Sequence, residues 1–177
     1  MMRPRAFGRP YAEEVLQPVK AGYVSVTLIV ALLLNLLPLS GWVLMLRPDF
    51  IALVLLYWGL EHPRKVGFFP AFLLGLAMDV AHGSLLGQHA LAYTGLMFAA
   101  IALHRRVPMF GVRQQVLHIL GILFLAQLTV LAVRLATGSD FPGWWYFLPS
   151  ASGAILWPFA RHMLTVRLRP RSDREEI

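Results

Sequence analysis

Residues 75–91 read GLAMDVAHGSLLGQHAL, and the setting of Asp79 within them decides how the rest of the chain is read. Asp79 is a lone carboxylate in a run that is otherwise apolar or small. It is followed by His82 and Ser84, and by Gly83 and Gly87 four residues apart. A charge near a bilayer centre costs about 2.5–3.5 kcal/mol on the insertion scale. Asp79 therefore needs a partner charge, a water-filled cavity or a place close to the membrane surface.

The composition around that stretch is a membrane protein's. Of 177 residues 58% are hydrophobic and only 14% charged, and the mean hydropathy is +0.63, whereas a soluble domain is roughly half apolar and a quarter charged. With no cysteine, a disulfide framework, a thiol nucleophile and a cysteine metal site are all excluded. The net charge of +7 does not point to nucleic acid, because the basic residues end apolar segments instead of lining a polar face. One membrane domain, 22–168, lies between polar tails at 1–21 and 169–177.

Working outward from Asp79, the span 66–80 contains it and the span 85–103 follows, stopping at His104-Arg105-Arg106. Upstream, a span at 47–60 opens on Arg47-Pro48, where proline suits a first helical position. It carries Tyr57 and Trp58 as an aromatic anchor and ends at His62-Pro63-Arg64-Lys65. The outermost segments are 23–39, with Trp42 beyond it at an interface, then 114–136 around Gln127, and 148–166. Trp144, Trp145 and Tyr146 return the chain to the membrane before the last span, in which Pro158 should kink the helix after Trp157. The first apolar run lies too far from the start, and lacks a small-residue cleavage site, for a removed signal peptide; it reads as a retained anchor. The fold class is all-α, a polytopic membrane protein of about six transmembrane helices, with four spans as the competing count. A helical crossing takes about 20 residues. The second to fourth spans fall at or below the lower limit, so they are short crossings or re-entrant segments buried in protein.

Orientation follows from charge. Segments on the side of the N-terminus hold 14 of the 16 Lys and Arg, and only Arg47 and Arg134 fall on the other side. The positive-inside rule then places both termini in the cytoplasm. In that topology Asp79 and Arg47 share the outer end of neighbouring spans, which predicts that Arg47 or its neighbourhood pairs with Asp79. Asp79 reads either as a coupling or partner-binding site or as a carboxylate capping a helix near water. Gly83 and Gly87 fit a turn, where glycine supplies positive φ; the competing reading puts them with Gly75 and Asp79 on one close-packing helix face. Ser150-Ala151-Ser152-Gly153-Ala154 reads as a helix-packing patch.

Catalysis and metal binding find little purchase. An intramembrane serine protease needs a serine in a tight glycine turn and a histidine base on another span; Ser84 is followed by Leu85, and His118 and His162 lie toward the other side. His82 and His89 are seven residues apart, which is not a usual ligand pairing. No cofactor is expected.

Four pieces of sequence taken together resemble the MreD family of bacterial rod-shape proteins. They are Leu46-Arg47-Pro48-Asp49-Phe50, Leu55-Leu56-Tyr57-Trp58-Gly59-Leu60, the Asp79-Val80 and Gly83-Ser84-Leu85-Leu86-Gly87 stretch, and Leu156-Trp157-Pro158. The resemblance implies a non-enzymatic inner-membrane scaffold of the elongation machinery, embedded in the lipid bilayer. It would bind the transmembrane helix of MreC and act alongside RodA, a penicillin-binding transpeptidase and, indirectly, MreB. It implies a fold similar to the substrate-binding subunits of energy-coupling-factor transporters. Carried over by position, its motif residues for partner binding or helix packing are Arg47, Pro48, Asp79, Gly83, Gly87, Trp157 and Pro158. A substrate-binding subunit of a small-molecule importer is the alternative, with a pocket near Asp79, His82, His89 and Trp144-Trp145. A homo-oligomer is compatible with the sequence.

Overall fold

A computed structural model describes residues 21–166. The expected cytoplasmic tails lie outside the described residues, except Ala21, which opens the first helix. The order is α1 (Ala21–Asn35), α2 (Trp42–Leu46), α3 (Phe50–Glu61), α4 (Phe68–Ala81), α5 (Gln88–Leu103), α6 (Val112–Ala136) and α7 (Leu148–Val166), with 3-10 turns at Val107–Met109 and Trp144–Phe147 and no strand among the described residues. The six longer helices overlap the six apolar segments, with bounds that differ from them by up to four residues. Two stretches combine crossing length with apolarity, Trp42–Glu61 and Val112–Ala136. The twelve residues of α3 rise only about 18 Å at 1.5 Å each, against a hydrocarbon core of about 30 Å.

A helix that is apolar all round belongs in a protein interior, and α3 is one. Ile51, Leu55, Leu56 and Trp58 have no exposed surface, and α3 packs against α1, α5 and α7. This corrects the reading of Tyr57 and Trp58 as an interfacial anchor. Trp58 donates its Nε1 hydrogen to Thr27 Oγ1 at 3.0 Å, and the Tyr57 hydroxyl lies 3.3 Å from Thr165 Oγ1. Both polar handles find partners on neighbouring helices, so the rings can be fully buried. The tryptophans left outside are Trp42, Trp144 and Trp145, between 61% and 81% exposed.

Pro48 is not the first residue of a helix. Asp49 is the N-cap of α3, its side chain accepting from the Ala52 amide at 3.0 Å, so Pro48 stands one place before the cap. The α7 helix runs unbroken through Pro158.

The α4 and α5 helices pack extensively against each other, and Gly75 lets their backbones come close. A Cβ at Gly75 would lie 2.3 Å from Ala90 Cα, so only glycine allows the two backbones this approach. Gly83 and Gly87 lie instead in the turn between these helices, at φ 58 and φ 107. The turn reading of the pair holds, and the reading that set them with Gly75 on one helix face does not.

Candidate functional site

The polar groups of the bundle gather at two ends. At the end formed by the α4–α5 turn, Asp79 has no exposed surface and accepts from four donors. Gly87 N–H reaches Oδ2 at 2.7 Å, while His89 N–H at 2.9 Å, Ser84 Oγ at 3.2 Å and His89 Nδ1 at 2.7 Å reach Oδ1. A carboxylate only accepts, so Nδ1 is the protonated nitrogen of His89. All four donors come from the turn that follows α4 and the first turn of α5. The carboxylate thus ties the end of one helix to the start of the next, its burial matched by hydrogen bonds.

The expected pairing with Arg47 is therefore corrected. Arg47 is turned away, its Nη1 donating to the Leu37 carbonyl at 3.0 Å. With four donors already on Asp79, a guanidinium would have to displace one of them.

Beside this cluster stands a second carboxylate that the sequence reading passed over. Asp49 Oδ1 accepts from Asn35 Nδ2 at 2.8 Å and Oδ2 accepts from the Tyr93 hydroxyl at 2.7 Å, while Asn35 Oδ1 takes the Phe50 amide at 2.9 Å. One side chain so joins α1, α3 and α5. Its signal was present, since an aspartate between Pro48 and an apolar run marks a helix N-terminus. Its reach to Tyr93, 44 residues on, had none.

At the opposite end Trp157 is buried and donates to Gln115 Oε1 at 3.4 Å. Arg161 donates to the same oxygen at 3.0 Å and pairs with Glu61 at 2.7 Å, which fastens α7 to α6 and α3. Pro158, next to Trp157, makes no part of this set. Gln127, near the middle of α6, accepts from Ser150 and donates to the Tyr146 carbonyl at 3.2 Å. Ser150 and Gly153 thus serve the helix-packing role read from the small-residue patch, with the Leu123 side chain 2.9 Å from where a Gly153 Cβ would stand.

Behind the α4–α5 turn lies a cavity of about 500 Å³ bordered by His82, Gln88, His89, Arg134, Ser139 and Tyr146. A smaller one of about 250 Å³ reaches Arg47 and Asn35. The His82 and His89 rings stand 5.4 Å apart. Desolvation by burial, then the neighbouring His89 and Arg47, lowers the His82 pKa from its ordinary value, against the raising effect of Asp49 and Asp79. Among the described residues no three His, Asp or Glu side chains are placed to hold a metal ion. Ser84 faces Asp79, with its hydroxyl also 3.2 Å from the Asp79 carbonyl, and among the described residues no histidine hydrogen-bonds to it.

The family described as rod shape-determining protein MreD matches residues 20–167, the helical body from end to end. The chain belongs to the MreD family. A rod shape-determining protein MreD of Haemophilus influenzae is 32% identical over 131 residues, covering 74% of this chain and 81% of that relative. No solved structure matches the chain. Membership joins the chain to rod-shape maintenance, and its apolar helices fit a membrane protein. The importer alternative finds no support among these relatives.

Proposed function

We propose that this MreD-family chain is a multi-pass scaffold of the bacterial inner membrane, both termini cytoplasmic. In this reading it binds the transmembrane helix of MreC and helps to position RodA and a penicillin-binding transpeptidase during lateral wall growth. The observation that carries the reading is an apolar groove of about 470 Å³ between α1, α3 and α7. Thr27, Ala31 and Ala160 keep its floor low, and Val30, Phe159 and Met163 form its banks. Helices in lipid associate through close packing over small residues, and Thr27, Ala31 and Ala160 supply them in this groove. Its mouth faces where lipid would lie: Val26, Val30 and Phe159 are 47–60% exposed. The groove replaces the Gly83–Gly87 face as the partner surface, since those glycines form a turn.

The chain's lack of cysteine makes the test direct. Single cysteines at Val30 and Phe159, paired with a cysteine scan along the MreC transmembrane helix, should give disulfides with a helical period. Cross-links from Val80 or Leu86 instead, with none from the groove, would remove this surface. Affinity purification of the C-terminally tagged chain from its own membranes, without recovery of MreC or either synthase, would remove the scaffold reading itself.

A further inference from the structure

The cavity behind the α4–α5 turn has a chemistry that its own neighbours do not use up. Arg134 lines it from the last turn of α6, half-buried, and among the described residues no carboxylate stands within ion-pairing distance of it. Of the acids at this end, Asp79 is held by the turn and Asp49 by Asn35 and Tyr93, while Asp140, next to Ser139 in the loop, is exposed and forms no ion pair among the described residues. Gln88 is only 4% exposed, yet its side-chain amide lines the cavity and has no partner within the described residues. No buried side-chain nitrogen or oxygen among the described residues lacks a partner, so the Gln88 amide, which makes no hydrogen bond within them, opens onto the cavity and is free to bond to a ligand there. Ser139, at the rim, adds a hydroxyl.

The height of the cavity identifies the ligand's setting. The loop bearing Ser139 leads directly into Trp144 and Trp145, 81% and 61% exposed, and Trp42 meets Trp145 edge-on at 6.5 Å. Exposed tryptophans sit at the headgroup level of a bilayer. Next to the mouth, Val80, Leu85 and Leu86 are 54–70% exposed and offer aliphatic surface.

We propose that this cavity is a phosphate site that seats the headgroup of a phospholipid. Arg134 and Gln88 hold the phosphate oxygens, Ser139 bonds at the rim, and the acyl chains run over Leu85 and Leu86. Arginine suits the task because its planar fork matches phosphate oxygens. Free phosphate shares the recognised group, so the experiment separates the two sources.

The full chain in detergent is titrated with water-soluble dihexanoyl-phosphatidylglycerol, with inorganic phosphate and with dihexanoylglycerol, which has no phosphate; tryptophan fluorescence is the readout. The phospholipid should bind saturably and dihexanoylglycerol should not. Arg134→Gln should weaken the phospholipid about tenfold, the scale of one charge-assisted contact. Ser139→Glu, at an exposed position that leaves the fold untouched, should weaken it at least as much by setting a carboxylate against the phosphate. Competition by inorganic phosphate supports a general phosphate site, and its failure to compete supports a lipid site. Equal binding of dihexanoylglycerol, wild-type affinity in Ser139→Glu, or no saturable binding of either phosphate probe overturns the proposal.

Discussion

At the scale of single residues, Asp79 and Asp49 show how a membrane bundle holds carboxylates among hydrogen-bond donors. Each is surrounded by donors from two or more segments, and for Asp79 these include two backbone amides. Asp79→Asn keeps the shape but turns one acceptor into a donor facing either an amide or the protonated His89 nitrogen. It should lower stability by about 1–3 kcal/mol, the penalty of a buried group left unsatisfied. Thermal unfolding in detergent checks this, and an unchanged midpoint would mean that Asp79 does not hold the turn. Arg47→Gln, which removes a contact with only the Leu37 carbonyl, should cost less. That order reverses if Arg47 were the counter-ion that its placement in the sequence suggested. His62, half-buried in the loop after α3 and 5.6 Å from the Trp58 ring, has its pKa lowered chiefly by burial and also by Lys65, against a raising effect of Glu61. The folded state then binds fewer protons than the unfolded one near the ordinary histidine pKa of about 6.5. Its stabilising contribution is complete above that value and is lost as pH falls toward the folded pKa. The drop in melting temperature between pH 7.5 and pH 5.5 should be smaller in His62→Gln than in the parent protein; an equal drop would place the pH sensitivity elsewhere.

At the scale of elements, the α4–α5 hairpin separates two uses of glycine that look alike in sequence. Gly75 is needed for space and Gly83 for backbone conformation. Gly75→Ala would push a Cβ into the Ala90 backbone and force the helices apart, for about 1–3 kcal/mol as in other overpacked sites. Gly83→Ala meets nothing within 4 Å and bears only the left-handed conformation, about 1 kcal/mol. Melting of the two variants side by side tests the order, and a Gly83 variant less stable than the Gly75 one would contradict it. The helix positions themselves were legible, since apolar runs and their Pro, Gly and Arg boundaries are local signals; 148–166 coincides with α7. The 3-10 turn at Trp144–Phe147 was not legible, because four aromatic residues carry no period of their own. Nor was the short helix α2, Trp42–Leu46, which precedes the Arg47-Pro48 boundary where the second span was expected to open.

At the scale of the whole molecule, the two polar ends define an axis. Glu61, Gln115 and Arg161 share one end with the basic loops, and Asp79, His82, His89 and Arg134 share the other. In the proposed topology, Ser139→Cys reacts with a membrane-impermeant maleimide added outside spheroplasts, and Arg106→Cys reacts only after the membrane is opened. The opposite pattern would invert the orientation and put the phosphate cavity on the cytoplasmic face.

Hydropathy, charge placement and helix punctuation are properties of neighbouring residues, and for that reason the sequence by itself determined a helical membrane body, its six apolar segments and the clustering of positive charge. Pairings between distant residues are set by packing. That α3 is the central helix, with Tyr57 and Trp58 inside it, depends on α1, α5 and α7 closing around it. That Asp79 bonds to His89 and the Gly87 amide instead of Arg47 depends on the approach of α4 to α5 that Gly75 allows. Only the tertiary structure decided these, because a burial or a hydrogen bond exists only once both surfaces are in place.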